Sequence, residues 1–359
     1  KVLSVFGTRP EMIKMWATLK KLDDHNFDHI MVHTGQNFTP ELKEFFFNDL
    51  EMRQPDFDLG IDVSSYANEV ASVIQKTDEV MEKVKPDALL ILGDTYSGLS
   101  IMPASYRGIK VFHMEAGLRA YDRRMPEQRN RILIDHMSDV LLPYKEYHRE
   151  NLIRENIHPS KIFVTGNTTF EAMDAFQSQI NKSEIITKLG LEKGKYILMS
   201  AHRSENVDNP ETLEQILMTA DKIKKDLGYQ VVFPMHPRTI SKSKDNELLK
   251  DTLVIKPLGF YDWNYLLKNS ACVLSDSGTA AEEGLYYRVP NISLRMATER
   301  PETIESGGTI VSGLNSDNII ESIKLIISQE WTANYNLEEG HSPSSVVINS
   351  LRTQLTNHF

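Results

Sequence analysis

The sequence predicts an α/β protein built from two Rossmann-like domains. Three observations support this fold class. Short apolar runs alternate with longer helical patterns, the alternation restarts after residue 195, and 359 residues are too many for one small core. Apolar strands that alternate with helices are typical of a parallel sheet covered by helices on both faces. Two successive sets of such strands therefore predict two sheets.

The first half of the chain begins with a strand, and Pro10 then opens a helix that runs to about residue 22. Proline suits the first helical turn, where its missing N–H would have no partner. The clearest helix is predicted at 65–85, because apolar side chains recur every three or four positions and Pro86 ends the pattern. Six apolar runs predict strands, at 2–6, 29–33, 88–92, 110–114, 140–143 and 161–165.

The second half begins after a polar, charged stretch at 181–195, which we interpret as a linker or as the edge of the second domain. A helix is predicted from Gly278 to about residue 287. Domain boundaries are placed at 1–167 and 168–343, and a final helix at about 344–359 is expected to pack back on the first domain. Strands are predicted at 196–200, 230–234, 252–256, 271–274, 291–294 and 309–311.

Composition and charge narrow the functional classes. The net charge of −10 does not favour nucleic acid as a partner. Cys272 is the single cysteine, so an intramolecular disulfide is excluded. The first residues show no signal peptide, and the longest apolar stretch, 88–92, is far too short to span a membrane. We therefore expect a soluble cytoplasmic protein with no membrane partner.

Polar clusters follow six of the predicted strands. In open parallel sheets, ligands bind outside the carboxyl ends of the strands. Clusters of this kind from both halves therefore predict one ligand cleft shared by two domains. The clusters begin at Gly7, Gly93, Glu115, Ala201, His236 and Ser275.

The residue types in these clusters are typical of acid–base and phosphate chemistry. Ser277 and Gly278 open a helix whose N-terminus could bind phosphate, although a simple helix cap explains them equally well. The candidate acid–base residues, each of which alone could be a cap or a surface ion pair, are Asp94, Glu115, Glu127 and His202. The cations that could bind a diphosphate, or could simply be solvated, are Arg9, Lys14, Arg119, Arg131 and Arg203.

Other site chemistries receive little support. The pairs His113 with Glu115 and His202 with His236 could be imagined as metal ligands, but the chain has no HExxH motif and no Cys/His spacing. P-loop and dinucleotide fingerprints are also absent. We predict no metal and no cofactor.

Ten ordered motifs, which together extend over nearly the whole chain, closely resemble the non-hydrolysing UDP-N-acetylglucosamine 2-epimerases. The motifs are GTRPE at 7–11, TGQN at 34–37, LGDT at 92–95, EAGLR at 115–119, PEQRNR at 126–131, AHRSEN at 201–206, HPR at 236–238, SDSG at 275–278, EEG at 282–284 and TERPE at 298–302.

The resemblance implies the GT-B architecture, in which two Rossmann-like domains face a central cleft, and a homodimer. It implies inversion at C2 of a UDP-linked 2-acetamido sugar, through elimination of UDP and re-addition, without a redox cofactor. The residues implied for acid–base chemistry are Asp94, Glu115, Glu127 and His202, with no assignment of each to a face of C2. The residues implied for UDP binding are Arg9, Lys14, His236, Ser277, Gly278 and Glu283, with Glu283 on the ribose and Ser277-Gly278 on the phosphates.

Three features of the sequence depart from the common family pattern. Gln128 follows Glu127 where the family often has a second glutamate. The stretch 37–42 lacks the histidine-containing motif of the allosterically regulated members, so we do not expect that regulation. The short segment 121–126 and the motif at 293–302 look more like the capsule and O-antigen branch, which includes enzymes that form UDP-N-acetyl-L-fucosamine.

Three alternatives to the epimerase remain open. A GT-B glycosyltransferase would share the fold but would not need three carboxylates. A hydrolysing epimerase would release the free sugar and UDP. A catalytically inactive UDP-sugar sensor would not need the acid–base residues.

Overall fold

The computed structural model describes residues 1–36, 40–122, 125–235, 237–243, 246–329 and 342–356. The chain forms two compact units, Lys1–Ala175 with Gly340–Phe359, and Phe176–Glu339. The second unit thus begins after Ala175, whereas the sequence prediction placed the boundary after residue 167. Each unit is built around one six-stranded parallel sheet.

The sheet of the first unit has the strand order β3-β2-β1-β4-β5-β6. Every residue of β1 and β4 is buried, which explains why these strands are continuous apolar runs rather than alternating ones. The strands are β1 (Val2–Phe6), β2 (His29–His33), β3 (Phe57–Asp58), β4 (Ala88–Leu92), β5 (Lys110–Met114) and β6 (Val140–Leu142). The helices are α1 (Arg9–Asp24), α2 (Pro40–Asp49), α3 (Tyr66–Val84), α4 (Ile101–Tyr106), α5 (Pro126–Met137), α6 (Glu146–Arg154) and α7 (Thr169–Ala175).

The sheet of the second unit has the strand order β9-β8-β7-β10-β11-β12, which repeats the order of the first sheet. Its strands are β7 (Tyr196–Ser200), β8 (Gln230–Pro234), β9 (Leu253–Ile255), β10 (Cys272–Ser275), β11 (Asn291–Ser293) and β12 (Thr309–Val311). Its helices are α8 (Gln177–Asn181), α9 (Ile185–Lys188), α10 (Ser204–Val207), α11 (Pro210–Lys222), α12 (Pro237–Ser243), α13 (Phe260–Lys268), α14 (Gly278–Tyr287), α15 (Pro301–Glu305) and α16 (Ser316–Ser328).

Both sheets have the doubly wound order of a Rossmann fold, so the predicted fold class is confirmed. In each sheet the chain reverses direction of winding beside the first strand, between β1 and β4 and between β7 and β10. Ligands of such sheets bind in the crevice at this switch point, outside the carboxyl ends of the strands. The segments that follow these four strands are therefore expected to carry the functional residues.

The last helix, α17 (Pro343–Thr356), belongs to the first unit and packs against α1. Its N-terminus is held by Glu171 of α7, whose carboxylate accepts hydrogen bonds from the Ser344 amide at 2.9 Å and from the Ser342 hydroxyl at 2.7 Å. An acidic group at a helix N-terminus also complements the helix dipole.

One predicted strand differs from the structure. Residues 161–165 do not form a strand, and a single bridge joins Ile162 to Leu141 of β6. Of the two interpretations of the stretch 181–195, the structure favours the edge of the second domain over a linker. The stretch lies near the start of the second unit and carries α9, where Ile186 is buried in the hydrophobic core against α13. No helix in the described part of the chain is long and apolar enough to cross a membrane.

Candidate active site

Glu115 directly follows β5 and has an unusual backbone conformation. Its φ of +61° lies in the left-handed region, which is rare for a residue other than glycine and costs about 1–3 kcal/mol. Gly93, which directly follows β4, is also left-handed, and a Cβ placed there would lie 3.6 Å from Oε1 of Glu115. Strained residues of this kind concentrate at functional sites and persist only where neighbouring groups hold them.

The Glu115 carboxylate is almost fully buried and is held on both oxygens. Oε2 forms an ion pair with Nζ of Lys14 and accepts a 3.1 Å hydrogen bond from the Tyr144 hydroxyl. Oε1 accepts a 2.9 Å hydrogen bond from Nη2 of Arg131, and the same nitrogen lies 2.6 Å from Oδ2 of Asp94. We call Lys14, Asp94, Glu115, Arg131 and Tyr144 the Glu115 cluster.

The Glu115 cluster pairs two carboxylates with two cations, so its formal charge is balanced. Lys14, Glu115 and Arg131 expose 3% of their side chains, whereas Asp94 exposes 18% and is the more accessible carboxylate. Buried charges of this kind are tolerated only when they are paired and hydrogen-bonded. The cluster therefore places two carboxylates beside two cations at the carboxyl edge of the sheet, where such groups can serve in acid–base chemistry.

Glu11 connects the segment after β1 to the segment after β4, which carries Asp94 of the Glu115 cluster. Its Oε2 accepts hydrogen bonds from the amides of Gly7 and Thr8 at 3.0 and 2.8 Å, and its Oε1 accepts one from the Thr95 hydroxyl at 2.7 Å. Burial raises the pKa of Glu11 to about 7, although the hydrogen bonds from Thr95, Thr8 and Gly7 act in the opposite direction. Glu11 therefore fixes the segment after β1 to the segment after β4, at the switch point of the first sheet.

A second buried network, built around His113 and Asp135, fixes the backbone next to Glu115. Oδ1 of Asp135 lies 2.8 Å from Nδ1 of His113, and Oδ2 accepts a 3.1 Å hydrogen bond from the Gly117 amide. The other ring nitrogen of His113 contacts the Gly93 carbonyl at 2.8 Å. Burial would raise the pKa of Asp135, but His113 and Arg119 hold this pKa below its usual value. The network thus fixes the backbone on both sides of Glu115.

Arg119 does not have the surroundings expected of a diphosphate ligand. Its guanidinium is buried, donates two 2.7 Å hydrogen bonds to Glu155 and forms a 2.7 Å ion pair with Asp135. Because these two carboxylates engage both ends of the guanidinium, the geometry favours a structural role over the predicted substrate-binding role.

Arg9 and Glu127 lie outside the Glu115 cluster. Arg9 begins α1, and its guanidinium lies 4.8 Å from the ring centre of Phe46, in cation–π geometry. Glu127 lies in the first turn of α5, a favourable position for an acidic residue, and is partly exposed.

The second unit has its own cluster at the switch point between β7 and β10. Asp276, which follows β10, is fully buried, and its Oδ2 accepts hydrogen bonds from the amides of His202 and Arg203 at 3.0 and 2.9 Å. Its Oδ1 lies 3.2 Å from Nδ1 of His202. Burial would raise the pKa of Asp276, but the neighbouring His202 side chain and the Arg203 amide hold it well below its usual range. Asp276 therefore orients His202.

The N-terminus of α14 lies beside a group of arginines. Ser277 is the N-cap residue, and a Cβ on Gly278 would lie 2.5 Å from Nη1 of Arg300, so the guanidinium packs directly on this glycine. Arg300 is held by Glu282 at 3.0 Å and by Glu299. Free amides at a helix N-terminus attract anions, and the nearby cations strengthen this attraction.

Arg295 is buried, and one of its nitrogens lacks an acceptor. Nη1 lies 2.9 Å from Oε2 of Glu299, but Nη2 has no hydrogen-bond partner within the part of the chain that the structure describes. Burial lowers the pKa of Arg295, Glu299 acts against this, and the charges of Arg203 and Arg300 lower the pKa further. A buried donor without an acceptor costs about 1–3 kcal/mol, so this geometry favours an anionic ligand beside Arg295.

Glu283 lies on α14, one turn from its N-terminus, and is 2% exposed. Its Oε2 accepts a 2.6 Å hydrogen bond from Nε1 of Trp263 on α13, which fixes the carboxylate. His236, another predicted binding residue, lies outside the described residues. No group of three or more His, Cys, Asp or Glu side chains that could hold a metal ion is found among the residues described.

The structure thus brings together Lys14, Asp94, Glu115 and Arg131 in the first unit, and His202, Arg203, Ser277 and Gly278 at the switch point of the second. Several residues of the two clusters were not predicted as site residues. Glu11, Asp276 and Arg300 lie within motifs quoted above. His113 was considered beside Glu115 only as a conceivable metal ligand, and no sequence signal marked Tyr144 or Asp135 as neighbours of Glu115. All residues of each cluster lie within a single unit.

Two doubly wound Rossmann sheets, one with a buried carboxylate cluster and one with a helix N-terminus beside arginines, are features of the GT-B fold class and of sites that bind phosphate-bearing ligands. The chain belongs to the UDP-N-acetylglucosamine 2-epimerase family, whose family model matches residues 20–345. This family places it among the isomerases.

Individual relatives extend over almost the whole chain. The UDP-N-acetylglucosamine 2-epimerase of Methanococcus maripaludis is 33% identical over 360 residues, which cover 97% of each chain. The solved structure of the Rickettsia bellii UDP-N-acetylglucosamine 2-epimerase is 36% identical, with a TM-score of 0.90 and coverage of 99% of this chain and 96% of that one. The Methanocaldococcus jannaschii enzyme, solved with UDP-GlcNAc and UDP, is 32% identical, with a TM-score of 0.90 and coverage of 98% of each chain.

Proposed function

We propose that this enzyme inverts C2 of a UDP-linked 2-acetamido sugar by eliminating UDP and adding it back. The observation that carries the proposal is the Glu115 cluster, which holds two carboxylates beside Lys14 and Arg131 at the carboxyl edge of a Rossmann sheet. A glycosyltransferase of the same fold would not need such a cluster.

In the elimination, a carboxylate removes the C2 proton and the C2–H electron pair forms the C1=C2 double bond. The bond between C1 and the UDP oxygen breaks, and its electrons leave with UDP. Re-addition delivers a proton to the opposite face of C2, while the UDP oxygen bonds to C1. The hydrogen on C2 is only feebly acidic, so a positioned base is required. Asp94, Glu115, Glu127 and His202 are the groups we propose for these proton transfers.

The departing diphosphate needs positive charge as the C1–O bond breaks. In our proposal this positive charge comes from the second unit, from Arg203, Arg295 and the N-terminus of α14 at Ser277-Gly278. Glu283, fixed by Trp263, would accept hydrogen bonds from the ribose hydroxyls. Arg9, Lys14, Arg131 and His236 complete the proposed substrate-binding set.

The substrate that we propose is UDP-N-acetylglucosamine or its C2 epimer. The second candidate substrate is UDP-2-acetamido-2,6-dideoxy-L-talose, which would give UDP-N-acetyl-L-fucosamine, because the segments 121–126 and 293–302 resemble that branch. We further propose that the enzyme is a cytoplasmic homodimer that supplies precursors for a capsule or another cell-surface polysaccharide.

The test is exchange at C2 in D2O. The protein is incubated separately with the two UDP-sugars, and NMR follows deuterium at C2 and the appearance of the epimer. We expect incorporation with one of them, and a loss of at least about a hundredfold in Glu115→Gln with UDP affinity retained, because a general base has been removed. Glu79→Gln, on the exposed surface of α3, is the control.

Two results would contradict the proposal. No exchange with either sugar, combined with transfer of the sugar to an added acceptor, would identify a glycosyltransferase. Release of free N-acetylmannosamine and UDP as the stable products would identify a hydrolysing epimerase.

A further inference from the structure

Tyr144 occupies a place beside Glu115 that the sheet itself determines. In the parallel pairing of β5 with β6, Met114 lies opposite Leu142, so Glu115 and the segment Pro143-Tyr144 leave the sheet at the same edge. The carbonyl of Pro143 accepts a 2.9 Å hydrogen bond from the Thr165 amide, which fixes the backbone just before Tyr144. The Tyr144 side chain is 2% exposed, so its ring is held by the surrounding core.

Both parts of the Tyr144 side chain contact the buried ion pair. The hydroxyl donates a 3.1 Å hydrogen bond to Oε2 of Glu115, the oxygen that also pairs with Lys14. The Lys14 ammonium lies 5.9 Å from the centre of the Tyr144 ring, within the range of a cation–π interaction. A phenol remains a neutral donor up to about pH 10, so it stabilises the carboxylate without adding a third positive charge to the cluster.

We propose that Tyr144 is a positioning residue for the Glu115 carboxylate: its hydroxyl fixes the orientation of Glu115 and favours the ionised form, while its ring fixes Lys14. This inference rests on the proposed function, because it assigns Glu115 a proton-transfer role. Hydrogen bonds to the charged form of a carboxylate stabilise that form, and the left-handed backbone at Glu115 makes lateral support of its side chain more important.

The test compares Tyr144→Phe with Tyr147→Phe. The first variant removes only the hydroxyl and keeps the packed ring, whereas Tyr147, on α6, is 40% exposed and makes the matched control. For Tyr144→Phe we expect kcat to fall about tenfold with KM within twofold of wild type, because a hydrogen bond to a charged group has been lost. The acid limb of the kcat profile should move about one unit to higher pH, since the carboxylate becomes easier to protonate.

A second measurement does not depend on turnover. Protein labelled with ¹³C at the glutamate carboxyl carbon is titrated by NMR, and the Glu115 signal is identified by its absence in Glu115→Gln. We expect the protonation midpoint of Glu115 to be higher in Tyr144→Phe than in wild type and unchanged in Tyr147→Phe.

These readouts separate the two proposals. If wild type shows no C2 exchange with any UDP-sugar, the proposed function fails, and the NMR titration still decides whether Tyr144 controls Glu115. An unchanged midpoint, or a Tyr144→Phe enzyme whose kcat and acid limb match those of Tyr147→Phe, overturns the role of Tyr144 even if exchange at C2 is confirmed.

Discussion

Nδ1 of His202 lies 3.2 Å from Oδ1 of Asp276, and the two side chains differ in exposure: Asp276 is fully buried, whereas 49% of the His202 side chain is exposed. A buried carboxylate whose pKa is held well below its usual range is ionised at neutral pH. It therefore favours the His202 tautomer with a proton on Nδ1, which leaves Nε2 free to exchange protons with a substrate.

The first prediction concerns Asp276→Asn. Asparagine keeps an oxygen for the amides of His202 and Arg203 but loses the charge that selects the tautomer. We expect kcat to fall by up to about a hundredfold, the lower end of what a general acid or base contributes, because His202 stays in place but loses the charge that selects its tautomer. ¹⁵N NMR of His202 should show a larger share of the Nε2-protonated tautomer. Asp226→Asn, on the exposed surface of the same unit, is the control, and a wild-type ¹⁵N spectrum in Asp276→Asn would contradict the argument.

The second prediction concerns Arg295→Met. Since Nη2 of this buried guanidinium has no acceptor within the described part of the chain, a ligand phosphate is its expected partner. We predict that UDP binds at least about tenfold more weakly to the variant, the scale of a hydrogen bond to a charged group. Binding of uridine, which lacks phosphates, should be unchanged when both are measured by calorimetry. Equal weakening of uridine and UDP would show that Arg295 supports the site as a whole.

The third prediction tests the structural role of Arg119. Arg119→Met leaves Asp135 and Glu155 without their shared cation, and breaking a buried ion pair costs about 3–5 kcal/mol. We expect the free energy of unfolding in urea to fall by an amount of this order, while KM for the UDP-sugar stays within twofold. Arg154→Met, which breaks an exposed pair with Glu150, should change neither quantity appreciably. A large rise in KM with unchanged stability would restore the substrate-binding role.

The sequence predicted the two sheets because their central strands are fully buried and therefore read as apolar runs, as in β1 and β4. It did not predict β3, because a two-residue strand carries no periodicity. It predicted a strand at 161–165, where only Ile162 forms a bridge to the sheet. Apolar runs were thus recovered even at sheet edges, as in β9 and β12, whereas the two-residue edge strand β3 was not.

The same distinction holds for the site. Motifs marked Asp94 and Glu115, because each lies just after the end of a strand, whereas Lys14 was predicted as a cation for a diphosphate and lies within α1. The contact of Tyr144 with Glu115 joins residues 29 positions apart and is created only when β5 pairs with β6. Likewise, the geometry favours a structural role for Arg119 because Asp135 and Glu155 pair with its guanidinium, and only the tertiary structure brings these two carboxylates together with it.

The fourth prediction concerns the pH dependence of stability at Glu11. Its folded-state pKa is raised from 4.5 to about 7, so the folded protein binds more protons than the unfolded chain between these pH values. Stability therefore decreases as the pH rises through this window and is constant outside it. The full window corresponds to about 3 kcal/mol, and the part between pH 5 and pH 8 to about 2.5 kcal/mol.

Glu11→Gln removes this titration, since glutamine stays neutral and can still accept a hydrogen bond from the amides of Gly7 or Thr8. We expect wild type to lose about 2.5 kcal/mol of unfolding free energy relative to Glu11→Gln between pH 5 and pH 8, measured by urea denaturation at both pH values. Because wild type and Glu11→Gln share all other titrating groups, those groups contribute equally to both curves. The unfolding free energy of Glu79→Gln should change with pH as that of wild type does. Parallel curves for wild type and Glu11→Gln would mean that the four hydrogen bonds to the carboxylate fully offset its burial, and that Glu11 is ionised throughout this range.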